Sequence, residues 1–359
     1  MTRGSATVAQ LPEFDEIIDV RSPAEYADDH IPGALSMPVL DDAQRAQVGT
    51  IYKQVSPFDA RRLGGALVAQ NLANHLMAHF QDKPRDWRPL VYCWRGGQRS
   101  GAFVTWLRMI GWDACQLVGG YKQYRRQVIE ELERRPPELA LRIVCGPTGS
   151  AKTRVLEALA AQGAQVLDLE GLVAHKGSVL GALPDTPQPS QKAFESRLHT
   201  ALMGFDPARP VFVEAESRKI GRLHVPTALI ERMRASECVT IEATREARIA
   251  FLLRDYAYLG DDAESLKFKL SCLKRIISAE TLARWCAYAD AHALPELFAE
   301  LVDQHYDPLY RRSQNSNYLR YAEAAGFDTD DLSDDGIARL AARILAATTD
   351  TPMACASGG

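Results

Sequence analysis

Cys93 sits where an apolar run meets a loop, in Val91-Tyr92-Cys93-Trp94-Arg95-Gly96-Gly97-Gln98-Arg99-Ser100. A thiol reacts as its thiolate, and an unperturbed cysteine is only roughly 3% ionised at pH 7. This loop holds what lowers that barrier: a Gly-Gly turn whose N–H groups can point inward, a helix start near Ser100, and two fixed charges, Arg95 and Arg99. The same cradle suits an oxyanion, because a thiolate and a phosphate oxygen make the same demand on it. A single free cysteine is more often buried packing than chemistry; strand, Cys, Gly-Gly, two Arg and helix together favour chemistry.

A second anion site lies in Gly146-Pro147-Thr148-Gly149-Ser150-Ala151-Lys152-Thr153. An apolar strand precedes it and a helix follows, the context a P-loop requires. Gly146, Thr148, Gly149 and Ser150 would wrap a diphosphate with backbone N–H groups, Lys152 would reach its outer oxygens and Thr153 would hold Mg²⁺, the one candidate ion. Ala151 stands where such loops carry glycine, which predicts strain if the backbone there needs positive φ. Glu214 and Glu216 follow the strand "PVFV", where an acid near Mg²⁺ is expected; Asp168 and Glu170 are weaker candidates of the same kind. Arg218, Lys219 and Arg222 are either counter-charges to a diphosphate or plain surface charges.

Positioning these loops takes parallel sheets, with sites at the strand C-terminal ends. "EIIDV", "PLVYC" and "ACQLVGG" read as strands, interleaved with helices over "SPAEYADD" (Ser22 cap, Pro23, Glu25), "ALVAQNLANHLMAHF" and "SGAFVTWLRMI". The charged stretch before Pro136-Pro137 marks a seam. Beyond it "LRIVCG", "AQVLDLEG", "RPVFVEAE" and "CVTIEAT" read as strands, and from about Arg245 the pattern is helical. The expected architecture is α/β: an N-terminal segment 1–13, a first α/β domain 14–135, a P-loop α/β domain 136–245, a helical region 246–345 and a disordered tail 346–359.

The chain has 359 residues and a net charge of −4, so nucleic acid would need a local basic patch. Two clusters mix basic and aromatic residues: Tyr121, Lys122, Tyr124, Arg125, Arg126, Arg134 and Arg135, and the stretch around Arg311 and Arg312. Each reads either as an RNA contact or as a solvated helix face over core tyrosines. The 7 cysteines form no CxxC pair, which argues against a disulfide framework or zinc ribbon; Cys115, Cys145, Cys238, Cys272 and Cys286 read as structural. With no apolar run of membrane-spanning length and no secretory signal, the expectation is a cytoplasmic protein away from membranes, without a tightly bound cofactor or resident metal. The oligomeric state is not legible.

"DVRSPAEYADDHIPGALSMP" resembles the signature of rhodanese domains, over roughly residues 14–135. That resemblance implies that Cys93 carries sulfur or selenium as Cys–S–SH or Cys–S–SeH, with Asp19 and Arg21 as scaffold. The loop departs from it: five residues separate Cys93 from Arg99, the Cys-x5-Arg spacing of tyrosine phosphatases. Either the loop is phosphatase-like, or it carries a chalcogen from a donor bulkier than thiosulfate, such as a phosphorylated one.

A rhodanese-like domain joined to a P-loop domain, with "VGGYKQYRR", "VLDLEGLVAHKGSVLG", "PQPSQKAFES", "VEAESRKIG" and "HYDPLY", resembles the tRNA 2-selenouridine synthase family along nearly the whole chain. The resemblance implies replacement of sulfur by selenium in 2-thiouridine at the tRNA wobble position. It implies selenophosphate and geranyl diphosphate as co-substrates and an S-geranylated intermediate. Cys93 with Arg95, Gly96, Gly97 and Arg99 would then serve selenophosphate, the P-loop the geranyl diphosphate, and the helical region the apolar tail. The rivals are a Cys-x5-Arg phosphatase fused to a P-loop NTPase, and a non-enzymatic RNA-binding scaffold.

Overall fold

The computed structural model describes residues 4–178, 180–183, 186–310 and 317–349. The chain forms two compact units, Met1–Glu131 with Pro189–Thr200, and Leu132–Gln188 with Ala201–Gly359.

The first unit is built on a five-stranded parallel sheet of order β1-β5-β4-β2-β3, from β1 (Ser5–Ala6), β2 (Glu16–Asp19), β3 (Leu35–Ser36), β4 (Pro89–Tyr92) and β5 (Cys115–Leu117). All four residues of β4 are buried, as expected of a central parallel strand covered on both faces. On one face Leu72, Phe80, Trp87, Phe103 and Leu107 form an apolar core with helices Pro57–His79 and Gln98–Ile110. The helix Pro23–Asp28 starts at the expected capping box, with Ser22 N–H donating to Glu25 at 3.1 Å. Residues 1–13 do not stand apart from the sheet: Ser5–Ala6 is its edge strand, paired with Gln116 and Leu117.

The second unit also holds a five-stranded parallel sheet. Its order is β12-β11-β6-β8-β7, from β6 (Leu141–Cys145), β7 (Gln165–Leu167), β8 (Val211–Glu214), β11 (Glu237–Ala243) and β12 (Ala325–Thr329); between them β9 (Lys219–Ile220) and β10 (Leu223–His224) make a small antiparallel pair. The chain leaves β6 first toward β8 and β7 and later toward β11, so the end of β6 is a topological switch point, where open α/β sheets bind ligands. Helices Lys152–Ala161 and Asp334–Thr349 cover one face through Val155, Leu159, Leu340 and Ile344. A separate helical cluster centres on Trp285, Leu270, Leu297 and Leu301.

Three features differ from the sequence reading. Residues 189–200, expected within the P-loop domain, belong to the first unit. The region expected to be mostly helical also supplies strand β12, which the sequence did not mark, paired with β11 from Val239↔Ala325 to Ala243↔Thr329. Residues 346–349, expected in the disordered tail, complete the last helix; the remainder of that tail lies outside the described residues. No helix among the described residues is long and apolar enough to cross a membrane.

Candidate active site

Strand β4 ends one residue before Cys93, and the loop returns into the helix that begins at Gln98. Cys93 is 4% exposed and packs within the apolar core, but its sulfur also meets two hydrogen-bond donors. Sγ accepts from Gly97 N–H at 3.3 Å and from the Ser100 hydroxyl at 3.1 Å. Gln116 Nε2 holds that hydroxyl at 2.8 Å and the Gly97 carbonyl at 2.9 Å. Burial pushes the thiol pKa up; the Ser100 hydroxyl, the Ser100 and Gly97 N–H groups and the Arg99 charge outweigh it, so the net displacement is downward. The sulfur is therefore set to ionise, mainly through neutral dipoles.

The two arginines have different situations. Arg95 is exposed. Arg99 is anchored through Nη1 to Glu25 Oε2 at 2.8 Å. Burial raises the Glu25 pKa, but Arg99 together with the Ser22 N–H and Arg45 lowers it overall, so this carboxylate stays ionised. The loop is clamped from below by the turn after β5, where Tyr121 N–H donates to the Cys93 carbonyl at 2.9 Å and Lys122 N–H to the Trp94 carbonyl at 3.0 Å. Gly96 and Gly120 meet there at φ +64° and +57°; a Cβ on Gly120 would overlap the Cys93 carbonyl oxygen.

Of the candidate RNA-binding residues, Tyr121 is buried, with Arg21 over its ring at 4.0 Å and its hydroxyl on Asp29 at 2.7 Å. It braces the loop and offers no face to a base. Tyr124 is buried as well. Arg125 is committed to Glu195 and Arg126 to Glu130, while Lys122 is exposed. Arg311 and Arg312 lie outside the described residues. The exposed aromatic side chain beside the thiol is Trp94, tilted against Tyr121 at 5.4 Å. Asp19 and Arg21 are buried scaffold, joined by Nη2–Oδ2 at 2.6 Å.

In the second unit, β6 runs into the P-loop and the helix Lys152–Ala161 opens directly behind it. Ala151 is its N-cap at φ 57°, ψ 30°, so the strain anticipated from the sequence is present. Gly149 has φ +85°, and a Cβ there would stand 3.0 Å from the Arg248 carbonyl oxygen. Lys152 Nζ folds onto the Gly146 carbonyl at 2.8 Å, and Thr153 Oγ1 donates to Glu170 Oε2 at 2.8 Å. Ser150 Oγ is buried without a partner.

Four carboxyl groups converge on this loop. Glu214 ends β8, is wholly buried, and accepts from Glu170 N–H at 2.8 Å through one oxygen while the other has no partner. Burial first, then Glu170 and Asp168, push its pKa well up, which favours its protonated form. Glu216 is pushed up to about 8 by burial and Glu170, and Glu170 is itself raised by burial. Asp168 caps the short helix Leu169–Val173 through Gly171 N–H. Among the described residues no group of three His, Cys, Asp or Glu side chains is arranged to hold a metal. The hydroxyl–carboxylate pair of Thr153 and Glu170 fits hydrated Mg²⁺, which takes one or two protein oxygens and fills its shell with phosphate and water.

The P-loop opens into a cavity of about 580 Å³ whose lining includes Phe251, Leu252, Tyr256, Leu309 and Tyr310 beside charged groups such as Lys176, Glu216 and Asp255; Leu252 packs directly against Gly149. Arg248 ties that lining to the loop: Nε donates to the Thr148 carbonyl at 2.9 Å, and Nη1 pairs with Asp307 at 3.0 Å. His305, buried and held neutral by burial, lines the same space from a π-helical turn, Val302–Tyr306. Arg218, Lys219 and Arg222 do not line it; Arg222 is spent on Gln188.

Sequence reasoning passed over Ser100, Gln116, Glu25 as the partner of Arg99, and Arg248. Only Ser100, adjacent to Arg99, had a local signal. Glu25 lies 74 residues from Arg99 and Arg248 lies 100 from Thr148, separations that only the fold closes.

Comparison with known proteins agrees with both halves. Residues 6–127 match the rhodanese-like domain, and residues 139–276 match the tRNA 2-selenouridine synthase AAA domain. A tRNA 2-selenouridine synthase of Alcanivorax borkumensis is 40% identical over 67% of this chain and 66% of its own length. One of Nitrosomonas europaea is 36% identical over 67% of this chain and 63% of its own. For these two the match thus spans just under two thirds of the relative. One of Shewanella loihica is 33% identical over 82% of this chain and 86% of its own length. The chain belongs to the tRNA 2-selenouridine synthase family.

Proposed function

We propose that this protein replaces sulfur by selenium in 2-thiouridine at the wobble position of cytoplasmic tRNA, using selenophosphate, through an S-geranylated intermediate made from geranyl diphosphate. One observation carries the reading: a single chain holds a thiol beside hydrogen-bond donors in a Cys-x5-Arg loop, and a P-loop that opens into a cavity partly lined by apolar and aromatic side chains.

In the geranyl half, the P-loop N–H groups and Lys152 bind the diphosphate. The cavity wall of Phe251, Leu252, Tyr256, Leu309 and Tyr310 takes the terpene tail, which has no polar groups to satisfy. Mg²⁺ at Thr153 and Glu170 would neutralise the diphosphate as it departs. The sulfur of 2-thiouridine is alkylated at the carbon that loses the diphosphate, and the geranylated sulfur becomes a leaving group. In the selenium half, Arg95, Arg99 and the loop N–H groups hold the phosphoryl group of the donor beside Cys93. Fast ATP hydrolysis is not required of this P-loop, which accommodates its strained Ala151.

The test is mass spectrometry of nucleosides from thiolated tRNA incubated with geranyl diphosphate and selenophosphate, separately and together. The wild type should yield S-geranyl-2-thiouridine with the first and 2-selenouridine with both. Cys93→Ser should form the geranylated nucleoside and no 2-selenouridine; Lys152→Ala should lose geranylation. Loss of both activities in Cys93→Ser would falsify the division of labour.

A further inference from the structure

Electron counting at Cys93 leads to a different partner for its sulfur. Selenium in selenophosphate is already at the selenide level. To place it on a thiolate as Cys–S–SeH, two electrons must go to an oxidant, or phosphite must leave in place of phosphate. No oxidant is part of the proposed reaction. We infer that Cys93 attacks phosphorus, not selenium, and that its loop removes a phosphoryl group from a selenium-phosphorylated uridine. This inference rests on the function proposed above and assigns the chemistry of its second half.

Every step then balances without oxidation. The selenophosphate selenium donates a pair to C2 of the S-geranylated base; the C2–Se bond forms, the C2–S bond breaks, and geranyl thiolate leaves with its pair. The base now carries Se–PO₃. Cys93 Sγ attacks the phosphorus; the S–P bond forms, the Se–P bond breaks, and 2-selenouridine leaves as its selenolate. Water next attacks phosphorus, the S–P bond breaks, and orthophosphate and the thiolate are released.

Four observations in the first unit fit a phosphoryl acceptor. Five residues separate Cys93 from Arg99. Gln98 and Arg99 open the helix Gln98–Ile110, and the first N–H groups of a helix have no partner within it, so they are available to phosphate oxygens. Arg99 is held by Glu25 through one nitrogen at 2.8 Å and more loosely through the second at 3.5 Å, which fixes its guanidinium near Cys93. The Ser100 hydroxyl and Gly97 N–H on Sγ stabilise the thiolate both as nucleophile and as the group that leaves when water attacks.

A fifth observation distinguishes this substrate from ordinary phosphate esters. Oxygen leaving groups need a general acid, and the carboxyl groups packed around the loop are committed. Glu25 is ionised on Arg99, Asp19 is bound to Arg21, and Asp29 accepts from Tyr121 and Ser196. A selenolate delocalised into the uracil ring is a weak base and departs without a proton. The loop has the parts for this leaving group, and among these described residues none is free to act as the acid an aryl or alkyl phosphate demands.

The experiment uses the full-length protein and an anticodon stem-loop RNA carrying S-geranyl-2-thiouridine, with selenophosphate labelled separately in phosphorus and in selenium. On acid quenching of the wild type, label should appear on Cys93 from phosphorus and not from selenium, only when RNA is present, and the product should be orthophosphate. Cys93→Ser should slow 2-selenouridine formation at least ~1000-fold, the scale for loss of a covalent nucleophile. It should accumulate RNA bearing both selenium and phosphorus. Selenium on Cys93 in the absence of RNA, or phosphite as product, overturns the inference, as does 2-selenouridine formation by Cys93→Ser at the wild-type rate. Because the labelling is read on the wild type, a misfolded variant does not affect it. If the wild type makes no 2-selenouridine at all, the proposed function fails, and that outcome is distinct from each of these.

Discussion

The Cys93 loop and the P-loop are built to one plan and charged in opposite ways. Each follows a fully buried central strand of a parallel sheet, turns through glycines at positive φ, and ends in a helix N-terminus. At the first, the negative charge belongs to the protein. Hydroxyl and N–H dipoles lower the thiol pKa, and the nearest carboxylate is held ionised by Arg99. At the second, burial leads in raising the pKa values of Glu170, Glu214 and Glu216, which favours their protonated forms and leaves room for a ligand's negative charge. A shared backbone frame thus suits a nucleophile in one unit and, in the proposed function, an anion-binding site in the other, and the difference lies in which side chains surround it.

Substitutions that disable one frame should leave the other working, and after loss of Cys93 itself the largest effect is expected at the glycines. In Gly120→Ala the new Cβ would collide with the Cys93 carbonyl oxygen at φ +57°, so the loop must move. Displacement of about 1 Å at a reacting group costs roughly 100-fold. Formation of 2-selenouridine from pre-geranylated RNA should fall at least that far, with geranylation retained. Gly149→Ala, at φ +85° and 3.0 Å from the Arg248 carbonyl, should do the reverse. Nucleoside mass spectrometry on both variants reads the pair; if either loses both activities, the two frames are not independent.

Next in size is the thiol itself. Ser100→Ala removes the donor at 3.1 Å from Sγ. A hydrogen bond to a charged group contributes about 1.5 kcal/mol or more, so the thiol pKa should rise by about one unit. The rate of alkylation by iodoacetamide against pH reports it. If the profile does not move, the Gly97 and Ser100 N–H groups alone ionise the thiol.

How much of this was legible in the sequence follows from how local each determinant is. "PLVY" and "LRIVC" read as buried parallel strands because every residue in them but Arg142 is apolar, and both are entirely buried, Arg142 paired with Glu237 at 2.8 Å. The capping box at Ser22 and Glu25 is three residues long and was visible for that reason. Strand β12, "AGFDT", was not: Phe327 alone is buried in it, and its partner β11 lies more than 80 residues earlier. Tyr121 and Tyr124 were open to two readings. With Val128 and Leu132 they fall at helical spacing, and all four are buried, so the period carried the answer and the basic neighbours obscured it. The pairing of Glu25 with Arg99 has no sequence signature at all.

The carboxyl groups at the P-loop give a smaller effect with a defined sign. Glu216 titrates at about 8 in the folded protein against an ordinary value of 4.5. Between those values the folded chain holds a proton that the unfolded chain has released, so this group lowers stability as pH rises through that window and adds nothing further above it. In metal-free buffer, Glu216→Gln should therefore be more stable than the wild type at pH 8 by roughly 1–3 kcal/mol, the scale for an uncompensated buried polar group. The two should converge near pH 4.5. Glu170 is raised for the same reason and leaves a residual slope. Denaturant titrations at several pH values measure it; equal slopes in wild type and variant would show that Glu216 is already satisfied.

The smallest effect separates strain from crowding. Ala151 and Gly96 both have positive φ, 57° and +64°, one in each loop. An alanine in that region costs about 1–2 kcal/mol, and exchanging it for glycine returns about 0.5–1 kcal/mol of that as extra unfolded-state freedom. Ala151→Gly should then gain about 0.5 kcal/mol, a rise of a degree or two in Tm. The gain stays small because the Ala151 Cβ is not idle: it packs in the apolar core with Val144 and Val155. Gly96→Ala carries the same strain with no such return, since its Cβ would lie 2.5 Å from the Leu117 carbonyl oxygen. It should lose several degrees and selenium transfer with them. If both substitutions shift Tm by similar amounts, backbone strain alone governs these turns. If they diverge as expected, what lies behind the turn decides whether a side chain is admitted, and the P-loop admits its alanine because a core, not a carbonyl, is behind it.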